Sequence, residues 1–200
     1  FTGQGSILPS TDGLVVPFEA VNLKAVDVQI TKVHQNNVLQ FLQVNNIEGR
    51  NELRRVGNRI ITRRISLENT SAGDLRKWNR YTLDISELIK SEPGAIYEIR
   101  LGFKPSYSTY SCDGPGPATE TFEDESEFQD DGYSGDYNLD YYERWYYGSD
   151  FNWRERENPC HSSYYTSDRS VYKNVLASDL GMMVKRGEDG NTVVFVTDLK

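Results

Sequence analysis

Histidine, cysteine and methionine each occur only twice in these 200 residues. Little chemistry can be built from so few. His34 stands beside Gln35-Asn36-Asn37, where a turn is expected, and His161 follows Cys160. No G-x-S-x-G, H-E-x-x-H or Gly-rich phosphate loop is present. Acid pairs such as Glu123 and Glu125 lie in a polar stretch rather than beside a cleft of the kind a glycosidase needs. Cys112, Cys160 and His161 offer three zinc donors, but their spacing matches no finger or ribbon. The run Asp136-Tyr137-Asn138-Leu139-Asp140 begins like a calcium loop, yet Tyr141 stands where that loop needs Gly and Tyr147 where it needs Glu. The expectation is a protein that is not an enzyme and carries neither a metal nor another cofactor.

Long apolar runs are lacking too. None approaches the roughly 18 residues that a bilayer-crossing helix requires. The chain opens with no signal peptide or lipid-attachment cysteine, so location is not readable from targeting signals. The net charge of −8 disfavours nucleic acid and anionic membranes as partners.

That charge is unevenly spread. Residues 113–168 hold 15 acidic and 3 basic side chains, a net of −12, while the rest holds 15 and 19, a net of +4. The same segment carries 13 of the 24 aromatic residues. It reads as an insertion into a more ordinary domain. Residues 119–131 are acidic and polar, whereas 133–153 hold nine aromatics. So much aromatic area rarely stays solvated. Tyr141, Tyr142, Trp145, Tyr146, Tyr147 and Trp153 form a candidate docking face, with packing of Tyr141, Trp145 and Trp153 on the body of the domain as the simpler outcome. Cys112 and Cys160 flank most of the segment. A disulfide between them would clamp its base and imply an oxidising compartment; the alternative is two unrelated thiols.

Outside the insertion the pattern is β. Apolar residues alternate with polar ones in 25–31, 80–85 and 96–103, and strands are also expected at 38–44 and 60–67. Residues 192–197 are apolar on both faces, as in a buried strand. One short helix is expected at 86–90, capped by Asp84 or Ser86. Asn36-Asn37, Asn45-Asn46, Gly49, Gly57 and Glu92-Pro93-Gly94 supply turns. Strands with one polar and one apolar face predict an antiparallel β-sandwich of about seven strands. Its core should hold Val26, Val28, Ile30, Phe41, Leu83, Ile99, Leu101 and Val175. The expected division is a sandwich over 1–178 with the insertion at 113–168, then a terminal hairpin at 179–200. Asn69-Thr70-Ser71 fits a glycosylation acceptor, or simply a polar loop.

Certain phrases go further. VPFEAVNLKAVDVQITKVHQNNVLQFLQV at 16–44, GSILP at 5–9, LDISELIKSEPGAIYEIRLGF at 83–103 and VYKNVLASDLGMMVKRGEDGNTVVFVTDLK at 171–200 resemble the bacterial alpha-2-macroglobulin family, large extracytoplasmic proteins that trap proteases. In that family S-D-L-G, a turn and V-F-V-T-D-L mark the passage from one macroglobulin-like sandwich to the next. The resemblance implies an immunoglobulin-like, non-catalytic scaffold domain in the periplasm or at the cell surface. Its partners would be neighbouring domains of the same chain and, through the parent, target proteases, with no nucleic acid or membrane contact. Residues 179–200 would open a following domain or pack as terminal strands. The family's C-x-E-Q thioester has no counterpart: Asp-Gly-Pro follows Cys112 and His-Ser-Ser follows Cys160. A rival reading is a free-standing extracytoplasmic module that stacks Trp145, Trp153 and tyrosines on sugar rings.

Overall fold

The computed structural model describes residues 1–3, 5–9, 13–68, 74–113, 151–166 and 169–199. Nine strands lie among them: β1 Ile7–Leu8, β2 Val15–Ala20, β3 Ala25–Val33, β4 Gly57–Ser66, β5 Asn79–Asp84, β6 Ile96–Gly102, β7 Val171–Ala177, β8 Leu180–Arg186 and β9 Thr192–Asp198. Two short helices, α1 Val38–Val44 and α2 Leu53–Val56, fall between β3 and β4. The strands form a five-stranded sheet in the order β1-β7-β6-β3-β4, a facing pair β2-β5, and a separate hairpin β8-β9. All pairings are antiparallel except β1 with β7.

Period-two alternation explains the sandwich. Val26, Val28 and Ile30 of β3 point to one side of the large sheet, as do Tyr97, Ile99 and Leu101 of β6 and Val175 and Ala177 of β7. Val16 and Phe18 of β2 face them with Tyr81 and Leu83 of β5. Register places Phe18 opposite Tyr81, and their rings stack at 5.4 Å. Every core residue expected from alternation is buried, and so are Phe41 and Val175.

The turn at 92–95 shows how local chemistry sets the ends. The Ala95 amide donates to the Glu92 carbonyl, with Pro93 and Gly94 between and Gly94 at φ +80°. This is the arrangement of a type II turn, whose third position favours glycine. Glu92 also pairs with the Lys32 ammonium at 2.5 Å, which ties the turn to β3.

Three expectations need correction. Residues 38–44 are not a strand but helix α1. V-L-Q-F-L-Q-V repeats every three residues, closer to a helix than to a strand, and Val38, Phe41 and Asn45 fall on one side. The Asn45 side chain holds the end: its Nδ2 donates to the carbonyls of Phe41 and Asn51, and its Oδ1 accepts from the Asn51 amide. Replacing Asn45 with alanine is expected to lower stability by about 1–2 kcal/mol, measured by urea denaturation. The expected helix at 86–90 is a single 3-10 turn, Ile85–Glu87, with Asp84 accepting from the Ser86 amide. Finally, β9 is a strand but not a buried one, since its residues are exposed along their whole length.

Candidate functional site

The sequence points to the base of the insertion. Cys112 and Cys160 are joined there by a disulfide, with Cα atoms 5.6 Å apart. Among the described residues, the returning segment 151–166 has two 3-10 turns, Trp153–Glu155 and Ser162–Tyr164. The Asn152 amide donates to Ser163 Oγ at 2.7 Å and so closes this segment on itself. Phe103, just past β6, meets Tyr164 and Tyr165 edge-on at 6.2 and 5.7 Å. Tyr165 is buried, and its hydroxyl donates to the Pro159 carbonyl at 2.7 Å. Burial pushes its phenol above the usual value, partly offset by a hydrogen bond with Ser108.

Arg169 clasps the same segment. Its guanidinium lies 3.9 Å from the Tyr164 ring centroid and donates to the Arg156 carbonyl and to Glu157 Oε2. The hydrogen bond from Arg169, followed by its charge, holds the Glu157 carboxyl below its ordinary value of 4.5. A carboxylate depressed in the folded state contributes stability above its unfolded pKa and loses it as pH falls through the folded one. The clasp should therefore be at full strength above about pH 5 and loosen as pH falls below the ordinary value. Lower amide protection factors across 151–166 in acid, after correction for the intrinsic pH dependence of exchange and absent in Glu157→Gln, are the expected outcome. Because Glu157 is exposed, the effect should be small and weaken with salt.

Of the proposed docking residues, Trp153 is 70% exposed. It meets Phe151 edge-on at 5.2 Å, with ring planes 87° apart. Tyr141, Tyr142, Trp145, Tyr146 and Tyr147 lie outside the described residues, as do the calcium-like run, Glu123, Glu125 and Asn69-Thr70-Ser71. His34 is exposed, and His161 Nδ1 accepts from the Ser163 amide. Among the described residues no group of three or more His, Cys, Asp or Glu could hold a metal. No helix among them is long and apolar enough to cross a membrane.

A second constellation escaped the reading of the sequence. Part of the outer face of the large sheet, around Ile96 and Glu98 of β6 and Asn174 of β7, is covered by the β3–β4 connection. Glu98 is 5% exposed and receives Arg50 through two hydrogen bonds, Nε to Oε2 at 2.5 Å and Nη2 to Oε1 at 3.4 Å. The guanidinium carbon lies 3.4 Å from the Tyr172 ring centroid. Buried Asn174, opposite Glu98 in register, donates through Nδ2 to the carbonyls of Ile47 and Gly49. Burial works against the Arg50 cation, but Glu98 and Tyr172 more than offset it, and its pKa stands above the ordinary value. Beside this clasp, Phe41, Leu53 and Val56 pack on Val33, Ile96 and Leu176. The available signal was a glutamate on a strand flanked by β7 rather than at an edge.

Comparison with known proteins bears on the N-terminal half. No curated protein matches the chain. A crystal structure of native alpha-2-macroglobulin from Escherichia coli, spanning domains NIE-MG1, matches at 14% identity and a TM-score of 0.45. The match covers 94% of this chain and 62% of that one, so the chain spans less than two thirds of that structure's length. At that TM-score the likeness carries no argument. The family model does: residues 1–94, from before β1 through β5 to the turn before β6, match the bacterial alpha-2 macroglobulin MG2 domain, and the family that this chain resembles is the bacterial alpha-2 macroglobulins.

Proposed function

We propose that this chain supplies a non-catalytic scaffold domain to a bacterial alpha-2-macroglobulin-like protein that traps proteases outside the cytoplasm. The match of residues 1–94 to the MG2 domain carries this reading. The disulfide supports it, because such bonds persist in oxidising compartments. Residues 1–178 are the scaffold, and 179–200 are the opening hairpin of a following domain. The insertion, with Trp153 and the five aromatics at 141–147, is the part that contacts a neighbour. The scaffold's partners are domains of its own parent chain, and target proteases meet it only through that parent.

The test compares the isolated 200-residue chain with the parent. The parent should retain a protease in a stable complex, while the isolated chain should leave protease activity unchanged and hydrolyse nothing itself. Inhibition or hydrolysis by the isolated chain would overturn the scaffold reading. A parent lacking 114–163 should fold but lose a contact with its neighbour; unchanged assembly and inhibition would make the insertion decoration.

A further inference from the structure

We propose that residues 34–56, the connection between β3 and β4, form a strap that opens from the outer face of the large sheet as one unit while the sandwich stays folded, with Asn174 as its latch.

The strap and the sandwich have separate cores. Phe41, Leu53 and Val56 of the strap pack on Val33 and Ile96, with Val38, Ile47 and Leu176 partly buried around them. Val26, Val28 and Ile30 pack with β2 and β5 on the opposite side of the sheet. The sheet stands between the two clusters, so the first can come apart without the second. Hydrogen bonding divides at the same place. The Asn45 amide donates to the Phe41 carbonyl, Gly49 to Asn46, Leu53 to Arg50 and Arg55 to Glu52, all within the strap. Among the described residues no backbone hydrogen bond joins it to β6 or β7, the strands it covers. Its two ends are drawn together by Asn37, whose Nδ2 donates to the Val56 carbonyl at 3.0 Å.

Side chains fasten the strap to the sheet. Asn174 is 4% exposed and donates to the Ile47 carbonyl at 2.9 Å and to the Gly49 carbonyl at 2.8 Å. Arg50 reaches Glu98, which lies opposite Asn174 in register. Both fastenings therefore act on residues 47–50. Just past them Glu52 has φ +53°, in the left-handed region that a side chain disfavours. Such a conformation persists only where surrounding contacts impose it, so it favours release. Opening uncovers Ile96 and Leu176 in one register row and Glu98 and Asn174 in the next row on that face. The sheet then presents an apolar pair beside two polar side chains that have lost their partners.

Amide hydrogen exchange on the 200-residue chain, in urea below the unfolding transition, tests the idea. The hydrogen-bonded amides of Asn45, Gly49, Asn51 and Arg55 should share one free energy of opening. Their urea slope should be smaller than that of amides 97–101 in β6, because less surface is exposed. Asn174→Leu keeps the bulk of the latch and removes its donor. It should lower the protection of all four strap amides by the same factor, about tenfold. Ile85→Val trims the sandwich core instead, where Ile85 is fully buried. It should lower protection at 97–101 by about fivefold and leave the strap amides unchanged. If the strap amides share the free energy and slope of β6, or fall with it in Ile85→Val, the strap opens only with the whole domain and the proposal is overturned. Unequal free energies among the four amides, or an effect of Asn174→Leu confined to Gly49 and Asn51, would show a segment that opens in pieces and overturn it as well. The urea series on the unsubstituted chain decides alone if Asn174→Leu does not fold.

Discussion

Reducing the Cys112–Cys160 bond, or replacing both cysteines with serine, should lower the stability of the domain by about 4 kcal/mol. The bond closes a loop with a sequence separation of 48. In the chain-entropy model, the restriction it places on the unfolded state grows with the logarithm of loop length and reaches that size here. The change should come mainly through the unfolded chain, because Phe103, Tyr164, Tyr165 and Arg169 hold segment 151–166 on the sandwich without the bond. The reduced protein should therefore keep its far-ultraviolet circular dichroism and its buried Tyr165, with a lower denaturation midpoint. Guanidinium melts with and without reductant check the magnitude. An unchanged midpoint would show that the loop is already constrained in the unfolded chain. Loss of the β signal on reduction would instead show that the bond holds the native sandwich together.

The sandwich was legible because one physical rule writes it. A strand with water on one side and core on the other must alternate, so Val26, Val28 and Ile30, or Tyr81, Leu83 and Ile85, declare their face. Alternation fails where that premise fails. Strand β6 has buried side chains on both sides: Tyr97, Ile99 and Leu101 in the core, Ile96 and Glu98 under the β3–β4 connection. Its polar row looked solvent-facing because nothing local shows that residues 34–56 fold back over it. Helix α1 was misread for a related reason. Seven residues are too few for either period to dominate, and its choice is set by packing of Phe41 on Val33 and Ile96.

The candidate site divides along the same line. The cysteine pair was legible from its placement around a segment of unusual composition. Trp153 illustrates the limit, since composition says that aromatics gather there but not which of them stay in solvent. The hairpin is a different case. Its strand was legible from the apolar run at 192–197, but the exposure of that run along its whole length was not.

Replacing Arg50 should cost more than replacing its partner Glu98, although the two share the same hydrogen bonds. Arg50 reaches in from the covering loop with 48% of its side chain still exposed, whereas the Glu98 side chain is 6% exposed. Arg50→Leu removes the cation and strands a buried carboxylate against Tyr172 and Asn174. An uncompensated buried charge costs about 3 kcal/mol or more, the lower end applying here because the site is open on the arginine side. Glu98→Leu leaves Arg50 free to swing into water and puts an apolar side chain under the loop, at a cost of about 1 kcal/mol. The double substitution should lie well below the sum of the two. Urea denaturation of the three variants checks the order and the coupling. Equal losses in the single variants would mean that the clasp acts through the stacking of Arg50 on Tyr172 rather than through its charge.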